Sequence, residues 1–108
     1  MTIARGRIRK GEMNKTEARY AQELELRKRV GEILWCEFEG ITLKLGFDCR
    51  YTPDFAVMLA NGELEMHEVK GFMKEDAQVK IRTAAKNFPF RFYLARWKDG
   101  GFEVNEVK

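Results

Sequence analysis

Two apolar stretches, Tyr51–Leu59 and Leu64–Lys70, are separated by a short polar break that contains Asn61-Gly62. Asn-Gly between two such runs is a strong hairpin signal. A hairpin dictates which side chains meet, and this one carries charge on otherwise apolar strands: Asp54 on the first, Glu68 and Lys70 on the second. Strand side chains alternate, so Glu68 and Lys70 share a face while His67 and Val69 point the other way. The turn decides where Asp54 falls. A two-residue turn pairs Ala60 with Glu63 and sends Asp54 to the face away from Glu68. A three-residue loop, Ala60-Asn61-Gly62, pairs Leu59 with Glu63 and sets Asp54 directly opposite Glu68. Such a loop needs a left-handed residue at its third position, which Gly62 supplies. Pro53, just before Asp54, predicts an edge, a bulge or a strand start without a ladder partner.

Asn14 followed by Glu17 is a capping-box pattern, and Lys15–Val30 holds no Gly or Pro before Gly31, which predicts a helix. Residues 33–38 and 41–45 read as strands, with a loop over 46–50. Lys74–Asn87 predicts a second helix with Ala77, Ile81, Ala84, Ala85 and Phe88 on its apolar face and Pro89 at its end. Phe90–Trp97 and Phe102–Val107 close the chain as strands around Asp99-Gly100-Gly101. The order helix, strands, helix, strands predicts an α/β domain over 13–108 with a mixed sheet flanked by two helices.

Charge is unevenly placed. The 108 residues carry a formal net charge of +3. Arg5, Arg7, Arg9 and Lys10 stand against Glu12 alone in residues 1–12, while the rest is balanced at 16 basic to 16 acidic. That predicts a flexible basic arm over 1–12, a generic phosphate binder or a solubilising tail. One histidine and two cysteines exclude Cys₂His₂ zinc sites, multi-histidine nucleases and a disulfide framework. Cys36 and Cys49 are expected to be plain thiols. No run approaches the roughly 20 apolar residues of a membrane span, and the basic N-terminus lacks a signal peptide's apolar core. The expected setting is cytoplasmic, without a membrane partner.

Two carboxylates facing each other repel. A divalent cation between them removes the conflict, and Mg²⁺ is held by one or two carboxylates plus water and phosphate oxygens. A lysine beside that cation can orient a water or stabilise developing charge. Asp54, Glu68 and Lys70 therefore suit metal-assisted phosphodiester hydrolysis.

Pro53-Asp54, a gap of 13 residues, then Glu68-Val69-Lys70 resembles the PD-(D/E)XK nuclease signature. Glu17 on the first helix matches the acid that many members carry there. The longer strings Tyr51-Thr52-Pro53-Asp54-Phe55, His67-Glu68-Val69-Lys70-Gly71-Phe72 and Phe88-Pro89-Phe90 are similar to small phage and prophage endonucleases. The resemblance spans roughly residues 13 to 104. It implies a restriction-endonuclease-like core in α-β-β-β-α-β order with an extra strand. It implies a Mg²⁺-dependent DNA endonuclease, with Mn²⁺ as substitute. Asp54, Glu68 and the Val69 carbonyl would be metal ligands, with Glu17 approaching directly or through water, and Lys70 would act on the attacking water. A single small domain has little room for a separate specificity module, so structure-selective cutting of branched or flapped DNA (a Holliday junction included), weakly specific nicking or targeting by a partner is expected, and the resemblance sets this in phage recombination, repair or packaging within the host cytoplasm. Cutting both strands ordinarily takes two sites, so a homodimer is an expectation. Lys15, Gln78, Arg82 and Lys86, with the arm's Arg5, Arg7, Arg9 and Lys10, are the candidate DNA contacts.

Each assignment has a plainer rival. Glu17 can serve only the Asn14 cap, Lys70 can simply pair with Glu68, and Gln78, Arg82 and Lys86 can be a solvated helix face. His67 is expected as an outer-face or packing residue, and Trp97 as packing more than as a base platform. A non-catalytic DNA-binding module of the same fold is the alternative function, and an RNA-directed nuclease a weaker one.

Overall fold

The first helix begins where side chains replace missing backbone partners. In helix α1 (Lys15–Arg29) the Asn14 side chain accepts from the Glu17 N–H at 2.8 Å, and the Glu17 carboxylate accepts from the Asn14 N–H at 2.9 Å. Both halves of the capping box are thus formed. At the other end Gly31 adopts φ +89°, the Glu32 N–H reaches the Arg27 carbonyl, and the Gly31 N–H reaches that of Lys28. This is a Schellman stop, with Arg27, Lys28 and Arg29 set against the negative end of the helix. Tyr20 and Leu24 are the buried residues of α1. Truncating Leu24 to Ala would cost about 3 kcal/mol, since it is almost fully enclosed.

The computed structural model describes residues 11–70 and 75–108. After α1 come β1 (Ile33–Phe38), β2 (Leu43–Gly46), β3 (Cys49–Tyr51), β4 (Phe55–Leu59), β5 (Leu64–Lys70), helix α2 (Glu75–Asn87), β6 (Arg91–Lys98) and β7 (Gly101–Val107). Five strands form one mixed sheet in the order β1-β4-β5-β6-β7, and β2 pairs with β3 as a separate ribbon. All neighbours in the large sheet are antiparallel except β5 and β6, which are parallel. A parallel pair needs a crossover, and α2 supplies it.

Both faces of the sheet are covered. One carries Phe55, Val57, Val69 and Ala95 against Tyr20 and Leu24 of α1. The other carries Ala56, Met66 and Phe92 against Ile81 and Ala84 of α2 and against Leu43 and Tyr51 of the ribbon. The alternation along β4 and β5 thus sends successive residues into two different cores.

Most expected elements appear within a residue or two, the usual scatter of element ends. Two corrections stand out. Tyr51–Leu59 is not one strand: it breaks at 52–54, and Tyr51 belongs to β3. The expected loop over 46–50 contains the start of β3, because Lys44 and Arg50 pair across the ribbon. Pro53 explains the break, as it cannot donate to a ladder. Arg5, Arg7, Arg9 and Lys10 lie outside the described residues. Gly11, assigned to the same arm, donates its N–H to the Glu39 carboxylate at 3.1 Å. Among the described residues no helix is long and apolar enough to cross a membrane.

Candidate active site on one face of the β4–β5 hairpin

The hairpin takes the three-residue loop. The Leu59 N–H donates to the Glu63 carbonyl at 2.8 Å, the Gly62 N–H to that of Leu59 at 2.8 Å, and Gly62 has φ +90°. Phe55 then faces His67, so the next residues outward, Asp54 and Glu68, stand opposite each other on one face. Hydrogen-bonding and non-hydrogen-bonding pairs alternate along an antiparallel ladder. Counting from Leu59 and Glu63, Asp54 and Glu68 are a non-hydrogen-bonding pair, whose side chains approach most closely.

The next position, Pro53 opposite Val69, should exchange backbone hydrogen bonds but cannot. Pro53 has no N–H, so the Val69 carbonyl loses its expected donor. The Val69 N–H is taken by Asp54 Oδ2 at 2.8 Å. A proline before the acid thus does two things: it ends the ladder, and it withholds the donor that the ladder would have given the Val69 carbonyl beside two carboxylates. The Glu39 N–H holds the Asp54 carbonyl from the other side at 2.7 Å.

Glu68 Oε1 accepts the Tyr51 hydroxyl at 2.7 Å and, more weakly, the Asp54 N–H at 3.4 Å. Glu68 Oε2 has no hydrogen-bond partner among the described residues. Burial first, then the Glu68 charge and the nearby Glu17, push the Asp54 carboxyl far above the ordinary carboxylate range. Burial also raises Glu68, against the opposing pull of the Tyr51 hydroxyl and the Asp54 N–H. Tyr51 is held protonated by burial and by Glu68, so it is a fixed donor.

Glu17 is near enough to Asp54 for its negative charge to raise the Asp54 carboxyl, while still closing the capping box. Closing the cap and lying near Asp54 are therefore compatible for Glu17. Lys70 lies two residues beyond Glu68 on the same face, half-buried. It makes no ion pair with Glu68, nor with any other described residue. Lys15, Arg82 and Lys86 are exposed and Gln78 is half-buried.

Among the described residues no three His, Cys, Asp or Glu side chains converge as a metal cage. Two carboxylates and a carbonyl without its ladder donor form a smaller donor set. That suits Mg²⁺ or Mn²⁺, which keep several waters, better than an all-protein site.

Two features were not foreseen from sequence. One is the Tyr51 bond to Glu68; its only signal is a tyrosine three residues before Asp54. The other is the opposite face. There His67 is buried, its Nδ1 2.5 Å from the Tyr20 hydroxyl and its Nε2 2.9 Å from Glu65 Oε1. Burial keeps Tyr20 protonated, so the consistent assignment has Tyr20 donating to Nδ1 and Nε2–H donating to Glu65. His67 does point away from Glu68, and of its two expected roles it takes the packing one, buried between Tyr20 and Glu65. Trp97 has the Arg19 guanidinium 4.7 Å from its ring centre and Phe102 at its edge, which favours packing over a free stacking platform.

A shallow cleft of about 290 Å³ is lined by Glu63, Leu64, Pro89, Phe90 and Arg91. It sits at the start of β5, about 17 Å along the strand from Glu68–Lys70, and gathers no acid cluster. The acids lie instead at the carboxyl ends of the parallel strands β5 and β6, where ligands of α/β sheets usually bind. Comparisons with family models, with curated proteins and with solved structures find no match.

Proposed function

We propose that the chain is a divalent-metal-dependent DNA endonuclease of the PD-(D/E)XK type. The observation that carries this reading is the hairpin register, which sets Asp54 against Glu68 with Lys70 on the same face. The same reading takes α1, β1, β4, β5, α2 and β6 as the α-β-β-β-α-β core, with the β2–β3 ribbon inserted and β7 added at the edge. Substrate DNA, a homodimer and a role in phage DNA processing in the host cytoplasm belong to this proposal.

Asp54, Glu68 and the Val69 carbonyl would hold the ion. Bound there, Mg²⁺ or Mn²⁺ supplies charge neutralisation for the phosphoryl oxygens and acidifies a water. The protein's own groups do the rest. Tyr51 donates to Glu68 Oε1 and leaves Oε2 available. The Val69 N–H fixes the Asp54 rotamer through Oδ2. Lys70, in no ion pair with any described residue, orients the attacking water or meets the negative charge that develops on the phosphate. Glu17 adds negative charge from the helix side and accepts a water hydrogen bond.

The test is a substrate panel of linear duplex, single strand, nick, flap and four-way junction. It is run in Mg²⁺ and in EDTA with wild type, Asp54→Ala, Glu68→Ala and Lys70→Ala. The proposal expects cleavage of DNA in Mg²⁺ alone, and loss of cleavage with retained binding in all three variants. Binding without cleavage in the wild type supports the non-catalytic module instead. Preferential cleavage of RNA supports the RNA-directed alternative.

A further inference from the structure

The β2–β3 ribbon has features that the acid pair does not require. Leu43 and Tyr51 face each other on its inner side and are buried against α2. Lys44 and Arg50 face each other on its outer side and are exposed. Like charges directly across a ladder are destabilising unless an anion lies over them. At the apex the pairing of Gly46 with Cys49 leaves a two-residue turn, Phe47-Asp48, with Asp48 at φ +61°. Phe47 is 94% exposed, the most exposed large apolar side chain among the described residues. A solvated phenylalanine at a hairpin tip gains nothing for the fold.

The ribbon is also firmly mounted. Thr42 and Thr52 hydroxyls bond at 2.7 Å across its base, and Tyr51 at the end of β3 bonds Glu68. The tip is about 13 Å along the strand from Tyr51. A two-stranded ribbon fits a DNA groove, and apolar side chains wedge between or stack upon bases whose stack is interrupted.

We propose that the β2–β3 ribbon is the DNA-reading element. Lys44 and Arg50 straddle backbone phosphates, and Phe47 stacks on the exposed base at a nick, flap or junction beside the acid pair. This deepens the endonuclease reading, on which it rests, by naming DNA with an interrupted base stack as the substrate class. Asp48, at the tip, is the one acid within the ribbon.

The test measures binding of wild type, Phe47→Ala, Phe47→Trp, the Lys44→Ala/Arg50→Ala double variant and Val104→Ala. Val104, exposed on the edge strand β7, is the control. The probes are a flush duplex and the same duplex with a flap carrying 2-aminopurine at the branch, both in Ca²⁺, with a single-stranded RNA of equal length as competitor. Phe47 is so exposed that its substitution does not endanger folding. Wild type should prefer the flap and change the 2-aminopurine fluorescence. Phe47→Ala should lower flap affinity about tenfold, to the level of the flush duplex, and lose the fluorescence change. Phe47→Trp should keep both. The double variant should reduce the slope of log affinity against log salt by about 2.

Flap affinity indifferent to Phe47, an unchanged salt slope, no DNA binding by wild type, or stronger competition by RNA than by flap DNA would each overturn the proposal. The two readings fail separately. A wild type that never cleaves, while its flap binding still depends on Phe47, removes the nuclease and leaves the ribbon. Mg²⁺-dependent cleavage with flap affinity indifferent to Phe47 does the reverse.

Discussion

Strand β5 presents two sets of ionisable groups to opposite sides of the same sheet. Towards α1 it offers Glu65 and His67, and towards the ribbon Glu68 and Lys70. The first set is closed. Tyr20, His67 and Glu65 bond in series, and both His67 nitrogens are satisfied. The second set is open. Two carboxylates oppose each other, a carbonyl has lost its donor to a proline, and the lysine beside them forms no ion pair among the described residues. Residues one apart in sequence thus serve different ends. A buried polar network with every partner present stabilises and orients. A strained one with free atoms at a strand's carboxyl end is where chemistry is expected.

The largest effect should come from the open face. Lys70→Ala should lower DNA cleavage in Mg²⁺ by about a thousandfold, the scale of losing one charged stabiliser of a transition state. Cleavage rates under saturating DNA measure this, and urea unfolding should show little change.

The closed face should answer the other way. His67→Ala leaves the Tyr20 hydroxyl and the Glu65 carboxylate buried without a partner, and should cost about 3 kcal/mol of stability. Urea denaturation at neutral pH reads this. Cleavage per folded molecule should fall far less than for Lys70→Ala. Equal losses of activity in the two variants would erase the distinction between the faces.

In the metal-free protein the open face should also make stability depend on pH. The Asp54 carboxyl is raised to about 8 in the fold, chiefly by burial and then by Glu68. A raised carboxylate favours the fold when protonated, so its contribution is complete below the unfolded value of about 4. It is lost as pH climbs through 8. Asp54→Asn should therefore stabilise the metal-free protein by about 2 kcal/mol at pH 9, after allowing for screening by the solvent that still reaches the group, and by almost nothing at pH 4. Thermal melts across that range in EDTA test the sign, and saturating Mg²⁺ should cancel the difference.

The smallest effect separates the two roles of Glu17. Glu17→Gln keeps the capping box, because an amide oxygen still accepts the Asn14 N–H. Stability should stay within about 0.5 kcal/mol while cleavage falls about tenfold. Asn14→Ala should do the opposite, costing about 1 kcal/mol with cleavage nearly intact.

The parts legible in sequence are those set by local chemistry. Asn14 with Glu17 gives the helix start, Gly31 its stop, and Gly62 the loop that fixes the register of Asp54 against Glu68. Glu68, Lys70 and His67 fall on their faces by alternation alone. What escaped depends on distant partners. β3 is three residues long and exists only through its pairing with β2. His67 reads as an outer-face or packing residue until α1 docks and brings Tyr20, 47 positions away, to its ring. The Tyr51 bond to Glu68 spans 17 positions. No local pattern encodes it, because it follows from the ribbon folding back over the hairpin.

The central claim is that the open face binds a divalent cation through the Asp54–Glu68 pair. Calorimetric titration of Mn²⁺ at pH 8 into wild type, Asp54→Asn and Glu68→Gln tests it most directly. Saturable binding in the wild type and its loss in both variants is the predicted result. Binding of equal affinity and stoichiometry in all three would contradict it.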